Sequence, residues 1–279
     1  MPKIIGLINS WYSEKWIAAS IEQALLYCDE VIVAIGAHSK ALANLKDRTR
    51  EIAKTYSDRV TLIKASMSSV HDQSKADTLN RMLSVSKLHK PGNWIWILDG
   101  DEFYFECSYL KIREAIASGL YTHMKVEEKF FLINTMRYLL GSHGRLFRIG
   151  STNDRFKPTQ HWTGVKTKEY VLRRDDGKMG MFHYSLLTDT DYRRIMWETE
   201  HSYSQSNKLQ WLPDTYILYD LDDEELWITK NQKLFGVKSP WFAKEMKANN
   251  DGKLFVYDGP HPELVEKAGI TSIPDFRKV

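Results

Sequence analysis

The sequence predicts an α/β protein, a mostly parallel sheet flanked by helices, followed by a helical C-terminal extension. Three observations predict it. Short apolar runs alternate with helix-periodic stretches through the first hundred residues. The run 94–98 has no charged position, as expected of a strand covered on both faces. From residue 191 onward the apolar spacing is helical.

The elements follow in order. Residues 3–8 form an apolar run and read as a buried strand. Ser13 is placed to cap a helix, with Glu14 favourable in its first turn. Ile17, Ile21, Ala24, Leu25 and Cys28 then recur at helical spacing. Residues 31–35 form the second strand, ended by Gly36, and 42–56 read as an exposed helix. Residues 60–63 are the third strand. Ser74 with Asp77 has the spacing of a capping box, ahead of the stripe Leu79, Met82 and Leu83. Pro91-Gly92-Asn93 is a turn before the strand at 94–98. Further on, 125–132 and 179–184 read as strands, and 145–167, rich in Gly, Asn, Pro and Thr, as loops. The acidic run 220–225 suits the N-terminal end of a helix. Pro262 and Gly269 bracket a short helix over 263–268.

Composition excludes several classes. With 39 Lys+Arg against 36 Asp+Glu the formal net charge is +3, too small by itself to argue nucleic-acid binding. No apolar run approaches the roughly 18 residues of a membrane helix, and no signal-peptide pattern opens the chain. Cys28 and Cys107 are isolated, so neither a disulfide framework nor a Cys-rich metal knuckle is indicated. The expected location is the cytoplasm, with peripheral contact at the inner membrane face left open. No G-x-G-x-x-G, P-loop, G-x-S-x-G or H-E-x-x-H is present, so dehydrogenase, P-loop NTPase, hydrolase and zinc-protease readings lack their motifs.

The segment that carries chemistry is Leu98-Asp99-Gly100-Asp101-Glu102. In parallel α/β sheets ligands bind at the carboxyl ends of strands, and this is the end of the fourth. Two carboxylates about 4 Å apart repel by roughly 4 kcal/mol at an effective dielectric near 20. A site holding both ionised calls for a cation, and hard oxygen ligands suit Mg²⁺ or Mn²⁺. Gly100 permits close approach of backbone or ligand. The plainer alternative is an Asp-Gly turn after a strand.

With these features in view, residues 3–102 resemble a family 2 glycosyltransferase of the GT-A, Rossmann-like fold. The matching residues are the 4–8 strand followed by Asn9 and Glu14-Lys15-Trp16-Ile17, the 30–35 strand, Lys75 through Leu79-Asn80, and the D-x-D at Asp99 and Asp101 with its acidic neighbour. One departure stands at the end of the second strand. The family commonly has Asp-Asp-Gly-Ser there, and this chain has Gly36-Ala37-His38-Ser39. A subgroup resemblance continues in Arg145-Leu146-Phe147-Arg148, Lys168-Glu169-Tyr170, Phe182-His183-Tyr184 and Gly259-Pro260-His261-Pro262. Lys168 stands where the subgroup has His.

The resemblance implies a nucleotide-sugar donor (a UDP- or GDP-sugar), Mn²⁺ or Mg²⁺, and inverting transfer to a glycan or glycolipid hydroxyl. It divides the chain into a GT-A domain over 1–190, with 1–102 on the donor side and 103–190 on the acceptor side, and an extension over 191–279. An inverting transfer needs a general base, for which Glu169 is the first candidate and Asp154 the second. Asp99, Asp101 and His183 are the candidate metal ligands, although His183 can equally be a satisfied buried histidine. Asn9, Trp11, Glu14, Lys75, Asp99 and Gly100 are the candidate donor-binding residues. With 9 Trp, 14 Tyr and 11 Phe the chain is rich in rings. Trp94, Trp96 and Trp16 are expected in the core, and Trp11, Tyr104, Trp162 and Tyr184 at or near the cleft, where flat rings stack on a base or a sugar. Two other functions are kept open: a nucleotidyltransferase of similar fold, against which the glycine-free first loop counts, and a non-catalytic carbohydrate-binding relative.

Overall fold

The computed structural model describes residues 1–37, 43, 46–67, 71–131, 137–158, 161–175, 177–184 and 255–269. Ten strands among them form one sheet. Its first half is β1 (Ile4–Ser10), β2 (Glu30–Ile35), β3 (Thr61–Lys64) and β4 (Trp94–Asp99), in the order β3-β2-β1-β4, all parallel. The second half is β5 (Glu102–Tyr104), β6 (His123–Phe131) and β7 (Arg137–Arg148). A separate hairpin is formed by β8 (Phe156–Lys157) and β9 (His161–Trp162), and the sheet is completed by β10 (Glu169–Leu172), β11 (Met181–His183) and β12 (Phe255–Val256). The helices are α1 (Ile17–Tyr27), α2 (Thr49–Lys54), α3 (His71–Val85), α4 (Glu106–Ala117) and α5 (Glu263–Lys267). The expected α/β class, a sheet flanked by helices, is what the chain adopts.

Continuous apolar strands arise because both faces of this sheet are covered. Alternate residues of β1, β2 and β4 point opposite ways. Ile4, Ile8, Val31, Val33, Trp94, Trp96 and Leu98 share one core with Ile17, Ile21 and Ala24 of α1. Ile5, Leu7, Ile32, Ala34, Ile95 and Ile97 share another with Ala76, Leu79, Met82 and Leu83 of α3. Trp94 and Trp96 are buried, as their strand pattern requires.

Beside β4 the sheet changes direction. β7 runs antiparallel to β4, and Trp94, Ile95 and Trp96 face Arg148, Phe147 and Leu146. β6 pairs antiparallel with β7, and both β10 and β11 run parallel to β6. β5, only three residues after β4, pairs with β11 at the far end of the sheet order. The sheet therefore curls, and the Gly100-Asp101 turn links β4, in the middle of the order, to β5 at its end.

Several sequence expectations need correction. Ser13 does not cap α1 through its side chain. Its carbonyl accepts the N–H groups of Trp16 and Ile17, and its hydroxyl turns back to the carbonyl of Trp11. Ser74 lies inside α3, which begins at His71, so no capping box forms there and Asp77 instead accepts from Gln73 Nε2 at 2.6 Å. The second helix is short, Thr49–Lys54. The glycine-rich stretch taken as loop begins within β7, the longest strand described. In the extension, 191–254 lies outside the described residues, as do the acidic run 220–225 and Trp197, Trp211, Trp227 and Trp241. The described part, 255–269, supplies strand β12 as well as helix α5, which closes on Gly269 at φ +69°.

That C-terminal part docks through rings. Phe131, fully buried, packs on Tyr184 (5.0 Å, stacked), Tyr257 (5.7 Å) and His261 (5.3 Å). Tyr184 Oη and His261 Nδ1 are 2.7 Å apart. The buried Lys129 ammonium lies 4.5 Å from the Phe182 ring and donates to the carbonyls of Gly177 and Met179. Phe131→Ala empties the middle of this cluster. The expected loss is about 3–5 kcal/mol, read as a lower urea midpoint with an unchanged slope.

Candidate functional site

β4 brings Asp99 to the sheet edge beside Asn9 of β1, its register partner. Gly100 follows with Ser10 Oγ only 2.9 Å from where a Cβ would stand, so a side chain at 100 would collide with β1. That close approach accounts for glycine between the two acids. Asp101 comes next, and its carbonyl accepts the N–H of Tyr184 at 3.0 Å. Glu102 then enters β5 opposite His183 of β11.

The acids are held by a cation the motif does not contain. Arg145 Nη2 contacts Glu102 Oε1 and lies 3.3 Å from Asp99 Oδ2, and both Arg145 and Glu102 are buried. Arg145 reaches them from a β-bulge. Met124 pairs with Leu146 and Lys125 with Gly144, so the ladder skips Arg145. Bulges re-aim side chains in this way beside functional sites. Burial pushes the Glu102 carboxyl up, and the guanidinium opposes it. For Asp99 burial acts upward too, but the charges of Lys75 and Arg145 outweigh it and hold the group at about 2. Burial, with the neighbouring Asp99 charge, raises Asp101, while His183 works the other way.

A second polar group stands on β6. Glu128 takes His183 Nδ1 at 2.9 Å on one oxygen and His143 Nε2 at 2.7 Å on the other. Burial acts to raise Glu128, but these two partners drive it well below the usual carboxylate range. His183 is raised to about 9: burial opposes its charge, and the Glu128 hydrogen bond and the Asp101 charge overcome that. His183 Nε2 faces Asp101 Oδ1 at 3.6 Å. Glu128 lies across Gly141, its register partner, whose Cβ position its carboxylate occupies.

Asp99, His143, Arg145 and His183 open on a cavity of about 640 Å³, which Asp101, Glu102 and Glu128 do not line. Of the sequence candidates, Lys75, Asp99, Glu169 and His183 line it. Glu169 Oε2 is 2.9 Å from His123 Nε2 and 3.2 Å from Lys125 Nζ. Burial would raise the Glu169 carboxyl, but Lys125 and His123 lower it on balance. Asp154 is placed elsewhere. Its Oδ2 accepts the N–H groups of Gly150 (2.7 Å) and Ser151 (2.9 Å) and ties that loop. Trp11 is half-buried against the α1 core. Glu14 is exposed and accepts the N–H of Arg48 at 2.9 Å, beside a smaller cavity of about 230 Å³ shared with Tyr12, Trp16 and Asp47. His38 and Ser39 lie outside the described residues. The ring expectation fails for Tyr104, Trp162 and Tyr184, which are buried, while Phe147 is the aromatic ring that lines the larger cavity.

Among the described residues no three His, Cys, Asp or Glu side chains stand close enough to cage an ion by themselves. Mg²⁺-type sites commonly use one or two carboxylates and complete the shell with water and substrate phosphates. The sequence reading missed Arg145 as a site residue, and also Glu128, His143, His123 and Lys125. Two signals were present. Gly144 beside a charge within a strand marks a bulge, and Glu128 is an acid in a strand whose neighbours Val126 and Phe131 are core.

No protein-family model matches the chain, and no curated protein matches its sequence. Among solved structures it is similar to glucosyl-3-phosphoglycerate synthase from Mycobacterium tuberculosis, in complex with Mn²⁺, UDP and glucosyl-3-phosphoglycerate. That match has 14% identity and a TM-score of 0.33, over 47% of this chain and 44% of that one. A 4-diphosphocytidyl-2C-methyl-D-erythritol synthase matches at 10% identity and a TM-score of 0.32, over 78% of this chain and 97% of that one. The chain thus spans less than half of the first of these proteins.

Arg145→Met removes the counter-charge of a buried carboxylate. It is expected to destabilise the fold by about 3–5 kcal/mol. Adding Glu102→Gln should restore part of that loss in urea denaturation, since the pair then goes together.

Proposed function

We propose that the chain is a metal-assisted inverting glycosyltransferase, moving a sugar from a UDP- or GDP-sugar to an acceptor hydroxyl on a glycan or glycolipid. The observation that carries this reading is the placement of Asp99 and Asp101 on either side of Gly100 at the carboxyl end of β4, with His183 Nε2 3.6 Å from Asp101 Oδ1. The donor set suits Mn²⁺ or Mg²⁺. Asp99, Asp101 and His183 would hold the ion, Asp101 and His183 already facing each other. Glu128 holds His183 by Nδ1 and presents Nε2, the outer-shell carboxylate arrangement that orients metal-bound histidines. When bound, such an ion neutralises charge on the leaving diphosphate.

The chain's own residues do the rest. Lys75 faces the same space as Asp99 and adds positive charge for a diphosphate. Asn9, Trp11 and Glu14, on and after β1, are assigned to the base and ribose side, and Gly100 lets the donor approach the backbone. Glu169 is the base that takes the acceptor proton. Its carboxylate faces the cavity, whereas the carboxylate of Asp154, the second candidate, is bound to loop amides.

Asp101→Asn is expected to abolish Mn²⁺-dependent binding of UDP or GDP in calorimetry, and unchanged affinity would remove the metal assignment. Glu169→Gln should keep donor binding and lower turnover by about 10²–10⁴-fold. Because Glu169 is lowered from the ordinary value of 4.5, it stays deprotonated into more acid solution. The acid limb of kcat/KM, where the base is lost as pH falls, should therefore lie below that value, and a limb near pH 6 would point to another base.

A further inference from the structure

The cavity has two ends of different chemistry. On β6, His123 is the register partner of Glu169 and Phe130 that of His183. At ~3.3 Å per residue these levels lie ~23 Å apart along the strand. Glu169 reaches inward to Lys125 and His183 inward to Glu128, so the β6 residues they meet are three positions, ~10 Å, apart, and His143 and Arg145 of β7 line the same cavity. The Asp99 and His183 end is the one assigned above to metal and diphosphate. The other end is cationic. Lys125 and His123 flank Glu169, and Lys166 lies 5.5 Å over the ring of Phe147, the register partner of His123. Lys166 is exposed and has no carboxylate partner among the described residues. Glu169 thus contacts Lys125 and His123, while Lys166 lines the same cavity, so the two lysines alone carry more positive charge than Glu169 balances.

We propose that this end is an acceptor subsite for an anionic acceptor, one that presents its hydroxyl to Glu169 while an attached phosphate or carboxylate pairs with Lys125 and Lys166. The inference rests on the glycosyltransfer reading for the meaning of the site. In the step it serves, the acceptor oxygen bonds to the sugar as the sugar–phosphate bond breaks. The hydroxyl proton goes to Glu169, and the nucleoside diphosphate leaves with the bonding pair. The subsite also has a consequence for the base. Lys125 is the first partner that lowers Glu169, so an acceptor anion that draws Lys125 to itself returns basicity to Glu169 when acceptor is bound. A neutral acceptor leaves the Lys125–Glu169 pair closed.

Glucose 6-phosphate, glucuronate and glucose serve as probes, titrated into the full chain by calorimetry, with Mn²⁺-dependent UDP binding measured separately. The expected result is at least tenfold tighter binding of one or both anionic sugars than of glucose, the two anions separating phosphate from carboxylate. Lys125→Gln combined with Lys166→Gln should abolish that preference and leave UDP affinity within twofold. Equal binding of all three sugars, or a preference that survives the double substitution, overturns the subsite. Should the double variant not fold, the exposed Lys166→Gln alone must weaken the preference severalfold. In the unaltered protein the preferred anion must also shift the ring resonances of His123. UDP binding without anion preference defeats the subsite alone. Anion preference without UDP binding keeps an anion site and defeats the glycosyltransfer reading.

Discussion

The buried guanidinium of Arg145 is the point on which the acidic end of the sheet depends. Asp99 and Glu102 meet one cation, with Asp101 in the turn between them. Left alone, carboxylates this close repel by several kcal/mol even at a generous effective dielectric. The cation can reach them only because β7 is inserted antiparallel beside β4 and because its ladder skips one residue. The change of strand direction is therefore a condition for the acidic turn. A wholly parallel neighbour would bring different residues to the carboxyl end of β4.

The second carboxylate of the site, Glu128, has a different task. It holds two histidines, one of which, His183, faces Asp101 with its other ring nitrogen. Its room comes from Gly141 across the ladder. Behind it, Phe131, Phe182 and Tyr184 form an aromatic wall with the buried Lys129 ammonium set against it. The polar groups of the cleft are thus supported by rigid apolar packing on the residues that alternate with them along β6 and β11.

Much of the first half was legible because its signals are local. Strands β1, β2 and β4 are short apolar runs, and α1 and α3 carry stripes at helical spacing. The D-x-D stands at a strand end that the parallel topology makes a binding edge. The site residues missed are those whose role needs a partner far along the chain. Arg145 is 43 residues from Glu102, and Glu128 is 55 from His183. The local signals, a glycine beside Arg145 and core neighbours around Glu128, mark unusual strand positions but do not name the distant partner. The ring assignments failed for a similar reason. Tyr184 adjoins a site residue in sequence, but strand alternation turns it to the opposite side, into the wall. The capping-box reading of Ser74 failed because α3 begins one turn earlier than its spacing suggested.

The docked tail has a consequence for how the chain folds. Tyr184 and His261 are 77 positions apart, so the contact that closes the aromatic wall is a long-range one. For a free chain of that length the length-dependent loss of entropy on closure is about 4 kcal/mol. That is of the same order as the loss expected from emptying a single large ring site in the wall. Closure of this kind belongs late in folding, after the local strands and helices have formed. The dependence on length is logarithmic, however, and doubling the intervening stretch would add only about 0.6 kcal/mol. In terms of chain entropy alone, the dock therefore depends only weakly on how many residues separate Tyr184 from His261.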